Sequence, residues 1–205
     1  VTSTGQTLTI QDMYCQTSNI YGMVTGGGTA VFSGVTCSGR QLAWMETGTL
    51  TIRDCNITVS DQELCESVGV RFEGAVTVTK TGSNNSVIWM KRAGEVRVAA
   101  GADVTINTAS YFIYRDGTTT FSVEDGASFS LTTNTNNFVF ESQVLASFSV
   151  GAGSVFRFQN NSPSALGSLR TIGPFSVGSG SVFEVNTMGG GAGLRFGLNS
   201  VLTFE

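Results

Sequence analysis

A pattern of alternating apolar residues on both sides of a turn position recurs along the whole chain. Its frame is apolar-x-apolar-x-x-Gly-x-x-apolar-x-apolar, as in Val96, Val98, Gly101, Val104 and Ile106. The central positions that align are Gly5, Gly27, Thr47, Glu73, Gly101, Gly126, Gly153, Gly180 and Asn199. Self-similarity with a period of about 20 to 30 residues is the signature of a solenoid, in which each repeat forms one coil.

Each coil is predicted to contain two regular strands and, in the longer coils, a third. Alternation with a period of two indicates a strand that points every second side chain towards a core. Three and five positions after each central position the residue is always apolar. These residues are Leu8 and Ile10, Ala30 and Phe32, Leu50 and Ile52, Val76 and Val78, Val104 and Ile106, Phe129 and Leu131, Phe156 and Phe158, Phe183 and Val185, and Leu202 and Phe204. Before the turn, pairs such as Leu42 and Trp44 are predicted to point inward on a second strand. The third strand is predicted over residues 88–90, 112–114, 138–140 and 169–172.

Short strands in every coil, with no helical stretch between them, predict an all-β fold. The specific prediction is a single-domain right-handed parallel β-helix of about eight to nine coils over residues 1–205. With strands about 4.8 Å apart, such a rod is roughly 40 Å long. Phenylalanines at equal offsets predict two inward ladders, namely Phe129, Phe156 and Phe183, and Phe121, Phe148 and Phe175. A β-sandwich is the alternative fold, but its strands need not repeat side-chain types at equal offsets.

The charge and the apolar runs of the chain narrow the classes of partner. Lys and Arg number 11 against 15 Asp and Glu, which leaves a net charge of -4. The basic residues are scattered, whereas a nucleic-acid binder shows a basic stripe, so no nucleic acid is expected. No apolar run reaches the length of about 18 residues that spans a membrane.

Because the chain starts at Val1 without a signal peptide, we expect a segment of a longer protein. Its open coil ends would meet the rest of the parent chain or another copy.

Four cysteines suggest a disulfide framework. Cys15 and Cys37 lie at the same offset from Gly5 and Gly27, so they are expected to stack on adjacent coils, within the distance that a disulfide tolerates. Cys55 and Cys65 share one coil, and their pairing would close a ten-residue loop. We therefore favour Cys15–Cys37 and Cys55–Cys65. Buried free thiols are the alternative.

Three Asn-x-Ser/Thr tripeptides are candidate N-glycosylation sites, at Asn56, Asn84 and Asn160. Each follows a strand or falls in a predicted loop, where a glycan can be carried. Together with the cysteines, these tripeptides favour an extracellular or cell-surface location.

Carboxylates are the remaining candidates for catalysis. With no His in the chain, Ser-His and Cys-His nucleophile systems are excluded, and without a CxxC pair zinc is not expected either. Asp12 and Asp54 lie two coils apart at one offset, roughly 10 Å from each other. That separation is near the one expected for an inverting glycosidase pair; ordinary turn residues are the alternative. We expect no metal, no cofactor and no enzymatic activity.

The outward position between the two inward residues carries many threonines. It reads Thr9, Val31, Thr51, Thr77, Thr105, Ser130, Arg157, Glu184 and Thr203. A threonine column is compatible with an ice- or mineral-binding face, but Thr also suits any solvated strand. Because Val31, Arg157 and Glu184 interrupt the column, we favour the second interpretation.

Aromatic side chains in the longest coils are the candidate ligand-binding residues. Insertions in solenoids form loops on one side of the rod, and these loops often carry the binding face. Trp89, Tyr111 and Tyr114 lie in such stretches, where their rings could stack on sugars. Packing within the third strand is the alternative.

Residues 30–37 (AVFSGVTC) and 50–56 (LTIRDCN) resemble coils of the pectate-lyase-like β-helix superfamily. They are closest in style to large repetitive surface proteins such as bacterial β-helix adhesins and the protist dispersed gene family. Enzymes of the superfamily imply an acidic calcium site with an Arg or Lys base, or a group of Asp on one strand face, and the sequence shows neither. The resemblance therefore implies a non-enzymatic structural or adhesive segment of an extracellular or cell-surface protein, with a glycan or a cell-surface protein as ligand. A polysaccharide lyase or hydrolase is the alternative.

Overall fold

The structure is a computed structural model that describes residues 3–16, 24–25, 27–45, 47–60, 62–115, 118–135, 145–162, 168–171, 173–188, 193–196 and 202–204. Within these ranges the chain forms only β-strands and no helix. The strands are β1 (Thr7–Gln11), β2 (Tyr14–Gln16), β3 (Val24–Thr25), β4 (Thr29–Ser33), β5 (Thr36–Gly39), β6 (Ala43–Trp44), β7 (Thr49–Arg53), β8 (Asn56–Val59), β9 (Cys65–Glu73), β10 (Ala75–Lys80), β11 (Ile88–Val98), β12 (Asp103–Thr108), β13 (Ile113–Arg115), β14 (Thr119–Val123), β15 (Ser128–Thr133), β16 (Ser147–Val150), β17 (Val155–Asn160), β18 (Ser168–Thr171), β19 (Phe175–Val177), β20 (Val182–Thr187), β21 (Gly193–Phe196) and β22 (Leu202–Phe204).

Two long parallel sheets form two faces of the solenoid. The larger sheet follows the path β1-β4-β7-β9-β11-β14-β16-β19-β22, and the smaller sheet follows β2-β5-β8-β10-β12-β15-β17-β20. Each strand of the smaller sheet comes between two strands of the larger one in the chain, so every coil passes from one sheet to the other. Because all of these pairs are parallel, the β-sandwich alternative is wrong.

A third face closes the coil. Strands β3 and β6, the first residues of β9 and β11, and β13 pair side by side there, and β18 pairs with β21. The third strands predicted over residues 88–90, 112–114 and 169–172 are thus confirmed to within a residue or two, whereas residues 138–140 lie outside the described ranges. The solenoid has about 6 turns, slightly fewer than the predicted eight to nine coils.

The core is a set of ladders that run along the rod. Phe121, Phe148 and Phe175 occupy register positions on neighbouring strands of the larger sheet, as predicted. Their ring centroids lie 5.3 and 5.1 Å apart in stacked pairs. Phe129, Phe156 and Phe183 stack in the same way in the smaller sheet, with centroids 5.7 and 5.2 Å apart. Edge-to-face contacts such as Phe148 with Phe156 join the two ladders into one apolar core.

The corner between the two sheets shows that the predicted alignment of the first coils is wrong. The residues with positive φ at this corner are Asp12, Gly34, Asp54, Gly74, Gly101, Gly126, Gly153 and Gly180. The predicted central positions Gly5, Gly27 and Thr47 instead precede strands of the larger sheet. Apolar alternation is the same on every strand, so it cannot tell one sheet from the next. In the first three coils, the predicted alignment therefore placed strands of the larger sheet at the positions of strands of the smaller sheet.

The correct register rearranges the outward columns as well. Thr9, Val31 and Thr51 continue into Arg71 and Arg97 on the larger sheet. The column on the smaller sheet reads Asn56, Thr77, Thr105, Ser130, Arg157 and Glu184. Neither column is the continuous threonine row that an ice-binding plane requires. Trp44, predicted to point inward, has 47% of its surface exposed, while Leu42 and Met45 fill the core.

Candidate functional site

Three aromatic side chains and one carboxylate share an outward column on the third face. Trp44 lies opposite Glu66 in the register, Glu66 lies opposite Trp89, and Trp89 lies opposite Tyr114. We call these four residues the aromatic face. Their chain neighbours Ala43, Cys65, Ile88 and Ile113 are fully buried, because successive residues of a strand point to opposite sides. The column therefore points away from the core.

The aromatic face is partly open to solvent. Trp44 is exposed, and Trp89 and Tyr114 are half-buried. The rings of Trp89 and Tyr114 meet edge to face, with centroids 5.6 Å apart, an arrangement that holds both rings in place. Glu66 lies between the two tryptophans along the column and is only 8% exposed. Adjacent positions are about 4.8 Å apart, so the column is a narrow aromatic strip with an acidic group inside it.

Such a strip can bind ligands that have both apolar and hydroxyl-bearing surfaces. Trp and Tyr combine an apolar ring with a polar tip, and both are enriched at the energetic centres of interfaces. The C–H face of a sugar ring can lie on an aromatic ring, and the indole N–H of Trp and the hydroxyl of Tyr can hydrogen-bond to sugar hydroxyls. The chemistry of the aromatic face therefore matches a carbohydrate surface.

The structure groups two of the three predicted aromatics and adds two residues that the sequence did not indicate. Trp89 and Tyr114 are register neighbours, but Tyr111 precedes β13 and lies outside the column. Its carbonyl accepts the backbone N–H of Val87. Trp44 and Glu66 were missed because Trp44 was assigned to an inward position. An alignment of Ala43-Trp44, Cys65-Glu66 and Ile88-Trp89 would have revealed the shared column.

The cysteines divide into two pairs of different kinds. Cys15 and Cys37 are register partners on β2 and β5, as predicted, and Cys37 is not one of the free cysteines of the described residues. The side chain of Cys15 lies outside the described part, so the disulfide between them stays a prediction. The prediction of a Cys55–Cys65 disulfide is wrong, because both thiols are free. The segment between them crosses from the smaller sheet to the third face, which separates the two sulfurs.

Both free thiols are buried and chemically inert. Cys55 donates hydrogen bonds to the carbonyl oxygens of Arg53, at 3.0 Å, and Phe32, at 3.5 Å. Burial raises the pKa of the Cys55 thiol. Burial also raises the pKa of Cys65, and the negative charges of Glu63 and Glu66 raise it further. Since the thiolate is the reactive form, neither cysteine is suited to nucleophilic chemistry.

Two of the three predicted glycosylation sites are accessible. Asn56 and Asn84 are exposed. Asn160 is fully buried, its amide donates to the carbonyl of Thr135, and its side-chain oxygen accepts the N–H of Ser162. The prediction at Asn160 is therefore incorrect for the folded chain, because a glycan on this amide would displace both hydrogen bonds from the core.

The two aspartates considered for catalysis are corner residues. Asp12 and Asp54 adopt φ values of 50° and 51°, a conformation that short polar side chains tolerate better than most. The Asp54 carboxylate accepts the backbone N–H of Ala75, on the next coil, at 3.0 Å. Asp12 extends over Gly34 in the same way, and no room remains there for a Cβ atom. Each carboxylate thus packs against the following glycine corner.

Charged residues on the larger sheet form an ionic cluster. Glu73 accepts hydrogen bonds from Arg71 at 2.6 Å and from Arg53 at 2.7 Å. Glu124 pairs with Arg71 at 3.3 Å and with Arg97 at 3.2 Å. The hydrogen bond from Arg71 lowers the pKa of the Glu73 carboxyl, and Arg53 adds to this effect. Opposite charges compensate one another across neighbouring strands here, which is typical of a structural cluster.

Among the described residues, no group of three or more Cys, Asp or Glu side chains is placed to hold a metal ion. That same part of the chain contains no helix long and apolar enough to cross a membrane. In the comparisons with known proteins, no family model, no curated protein and no solved structure matches this chain. The parallel β-solenoid is therefore identified from the strand order of its sheets alone.

Proposed function

We propose that this chain is a non-enzymatic adhesive segment of an extracellular or cell-surface protein and that the aromatic face binds a glycan. The observation that carries the proposal is the outward column in which Trp89 and Tyr114 are register neighbours, with Trp44 on the same line. Exposed aromatic side chains on a rigid strand provide contact area without loss of backbone freedom on binding.

The architecture supports a display role. A continuous apolar core with stacked phenylalanine ladders makes a stiff rod. Such a rod holds a lateral strip at a constant distance from its attachment point. The carboxylates of Asp12 and Asp54 pack on backbone corners, and this geometry favours a binding role over a hydrolytic one.

A glycan array on the purified chain tests the binding proposal. We expect saturable binding to a subset of glycans without turnover, and we expect Trp89→Ala to weaken that binding by about tenfold or more. A loss of this size corresponds to about 1.4 kcal/mol, which is typical of an aromatic residue at the centre of an interface. The matched control is Tyr14→Ala, because Tyr14 is 73% exposed but lies on the smaller sheet.

Three results of the array would contradict the proposal. Binding that survives Trp89→Ala unchanged would move the site elsewhere on the rod. Release of product from a bound glycan would support the enzyme alternative instead. Absence of binding to every glycan, together with binding to a cell-surface protein that Trp89→Ala abolishes, would replace the glycan by a protein ligand. Circular dichroism of both variants verifies that the solenoid remains folded.

The extracellular location is tested by a non-reducing peptide map of the chain secreted from eukaryotic cells. We expect a linked peptide pair containing Cys15 and Cys37, and unlinked Cys55 and Cys65 that are alkylated only after unfolding. The pKa values of both buried thiols are raised, so native alkylation at pH 7 is slow. Glycan mass is expected at Asn56 or Asn84 and not at Asn160. A Cys55–Cys65 link, or a glycan on Asn160, would contradict the structure.

A further inference from the structure

An open hollow lies at the far edge of the smaller sheet, where the chain leaves that sheet for the third face. Its volume is about 410 Å³, within the range of about 300 to 1,000 Å³ that is usual for small-molecule sites. Thr79, Asn107 and Thr132 line one side, and they are register neighbours on β10, β12 and β15. Thr81, Asn134 and Asn161 form the other side.

A short side chain, that of Ala109, lies in the lining of the hollow. Lys80, Thr108 and Thr133 are register partners at the ends of their strands. The residues that follow them are Thr81, Ala109 and Asn134. Ala109 thus lies between two longer polar side chains on neighbouring coils, and the difference in length makes a notch in the lining. A longer side chain at this one position would occupy the notch, which makes the site directly testable.

The floor of the hollow is held in place by buried polar groups. The Lys80 side chain is 2% exposed, and its ammonium donates to the carbonyl oxygens of Gln62 at 2.8 Å and Ser60 at 3.3 Å. Thr108 and Thr133 are also buried, and both of their hydroxyls donate to the carbonyl of Ser110. Because these groups are fixed by the fold, the hollow is already formed before a ligand arrives.

The lining specifies the chemistry of a ligand. Threonine hydroxyls donate and accept hydrogen bonds, and asparagine amides provide two donors and one acceptor oxygen. Among the lining residues that the structure describes there is no carboxylate and no aromatic ring. The Lys80 ammonium in the floor is buried and donates to the carbonyl oxygens of Gln62 and Ser60, so its charge is directed away from a ligand. A matching partner therefore offers many donors and acceptors and carries no charge, which describes a saccharide. We propose that this hollow is a second binding site of the rod, specific for a neutral saccharide.

The second site is independent of the aromatic face. The hollow is built from residues 79–81, 107–109, 132–134 and 161, none of which belongs to the aromatic column. Binding at the hollow is therefore expected to persist in Trp89→Ala. Trp89→Ala tests the aromatic face and Ala109→Leu tests the hollow, so a negative result at one site does not contradict the proposal for the other.

Amide NMR shifts of the labelled chain, titrated with cellotetraose, maltotetraose and mannotetraose, test the second site. We expect at least one of these neutral probes to shift the side-chain and backbone amides of Asn107 and Asn134 in a saturable manner. Ala109→Leu fills the notch, and we expect it to weaken that binding by about tenfold or more, equivalent to about 1.4 kcal/mol. Trigalacturonate, as a charged probe, is expected to bind more weakly than the best neutral one.

The matched control is Ala75→Leu, because Ala75 is an exposed alanine at the start of β10 on the same sheet. We expect this variant to bind like the parent chain. Saturable shifts that Ala109→Leu leaves unchanged, stronger binding of trigalacturonate, or no saturable shift with any neutral probe would each overturn the proposal. If Ala109→Leu lowers the urea midpoint, Asn107→Ala, which removes an amide without adding volume, provides the deciding comparison.

Discussion

Replacing Phe148 by alanine is expected to lower the free energy of unfolding by about 3 to 5 kcal/mol, the usual cost of emptying a buried aromatic site. Phe148 is fully buried and stacks between Phe121 and Phe175. It also meets Phe156 and Phe183 edge to face. Its removal leaves a cavity in one ladder at the point where it contacts the other. The stacked coils cannot move together to close this cavity without breaking their register.

Urea unfolding followed by far-ultraviolet circular dichroism measures this effect. The matched control is Phe204→Ala, because Phe204 is 67% exposed and removal of its ring opens no cavity. We expect the control to change the free energy of unfolding by less than about 1 kcal/mol. Equal shifts of the urea midpoint in the two variants would show that the phenylalanine ladders do not form the core described here.

Gly94→Ala is expected to destabilise the chain by about 3 kcal/mol or more, beyond the usual range for an overpacked site. A Cβ atom at Gly94 would collide with the carbonyl oxygen of Val68, on the adjacent strand. This collision involves backbone atoms, so no side-chain rotation relieves it. Gly94 also lies where the pairing of β9 with β11 shifts between Met90 and Glu95, so the added methyl group would push two coils apart.

The matched control for this variant is the same substitution at Gly101. Gly101 has a φ of 69°, and a Cβ atom there would meet nothing within 4 Å. Only backbone strain opposes Gly101→Ala, at a cost of about 1 to 2 kcal/mol. The free energies of unfolding of the two variants, measured in urea, separate the two causes. A larger loss for Gly101→Ala than for Gly94→Ala would mean that the coils are not stacked as closely as the structure shows.

The corner residues show which corners the repeat predicted correctly and which it missed. Gly101 was predicted as a corner from its place in the repeat, and its positive φ confirms it. Asp12 and Asp54 hold the equivalent corner in earlier coils, yet their acidic side chains suggested catalysis. Their role follows from contact with the next coil, as in the hydrogen bond from Ala75 to Asp54. That contact joins residues about one coil apart and has no local signature.

The candidate sites depend on the same kind of long-range information. Trp89 and Tyr114 could be identified as aromatics in long coils, but their alignment with Trp44 and Glu66 requires the pairing of β6, β9, β11 and β13. The hollow beside Ala109 depends on its neighbours in the preceding and following coils. Asn160 begins an Asn-x-Ser tripeptide in the sequence, and only the burial of its side chain in the folded chain excludes a glycan there.

The sequence by itself determined the solenoid, its parallel strands, the two phenylalanine ladders and the alignment of Cys15 with Cys37 on adjacent coils. These features follow from alternation and spacing along the chain, which a local pattern records. Only the tertiary structure decided which sheet each early strand joins, that Trp44 points outward, and that Cys55 and Cys65 remain apart. The physical reason is that an apolar-polar alternation defines an inner and an outer side for every strand but not the partner beside it. That partner is selected by closure of the whole coil.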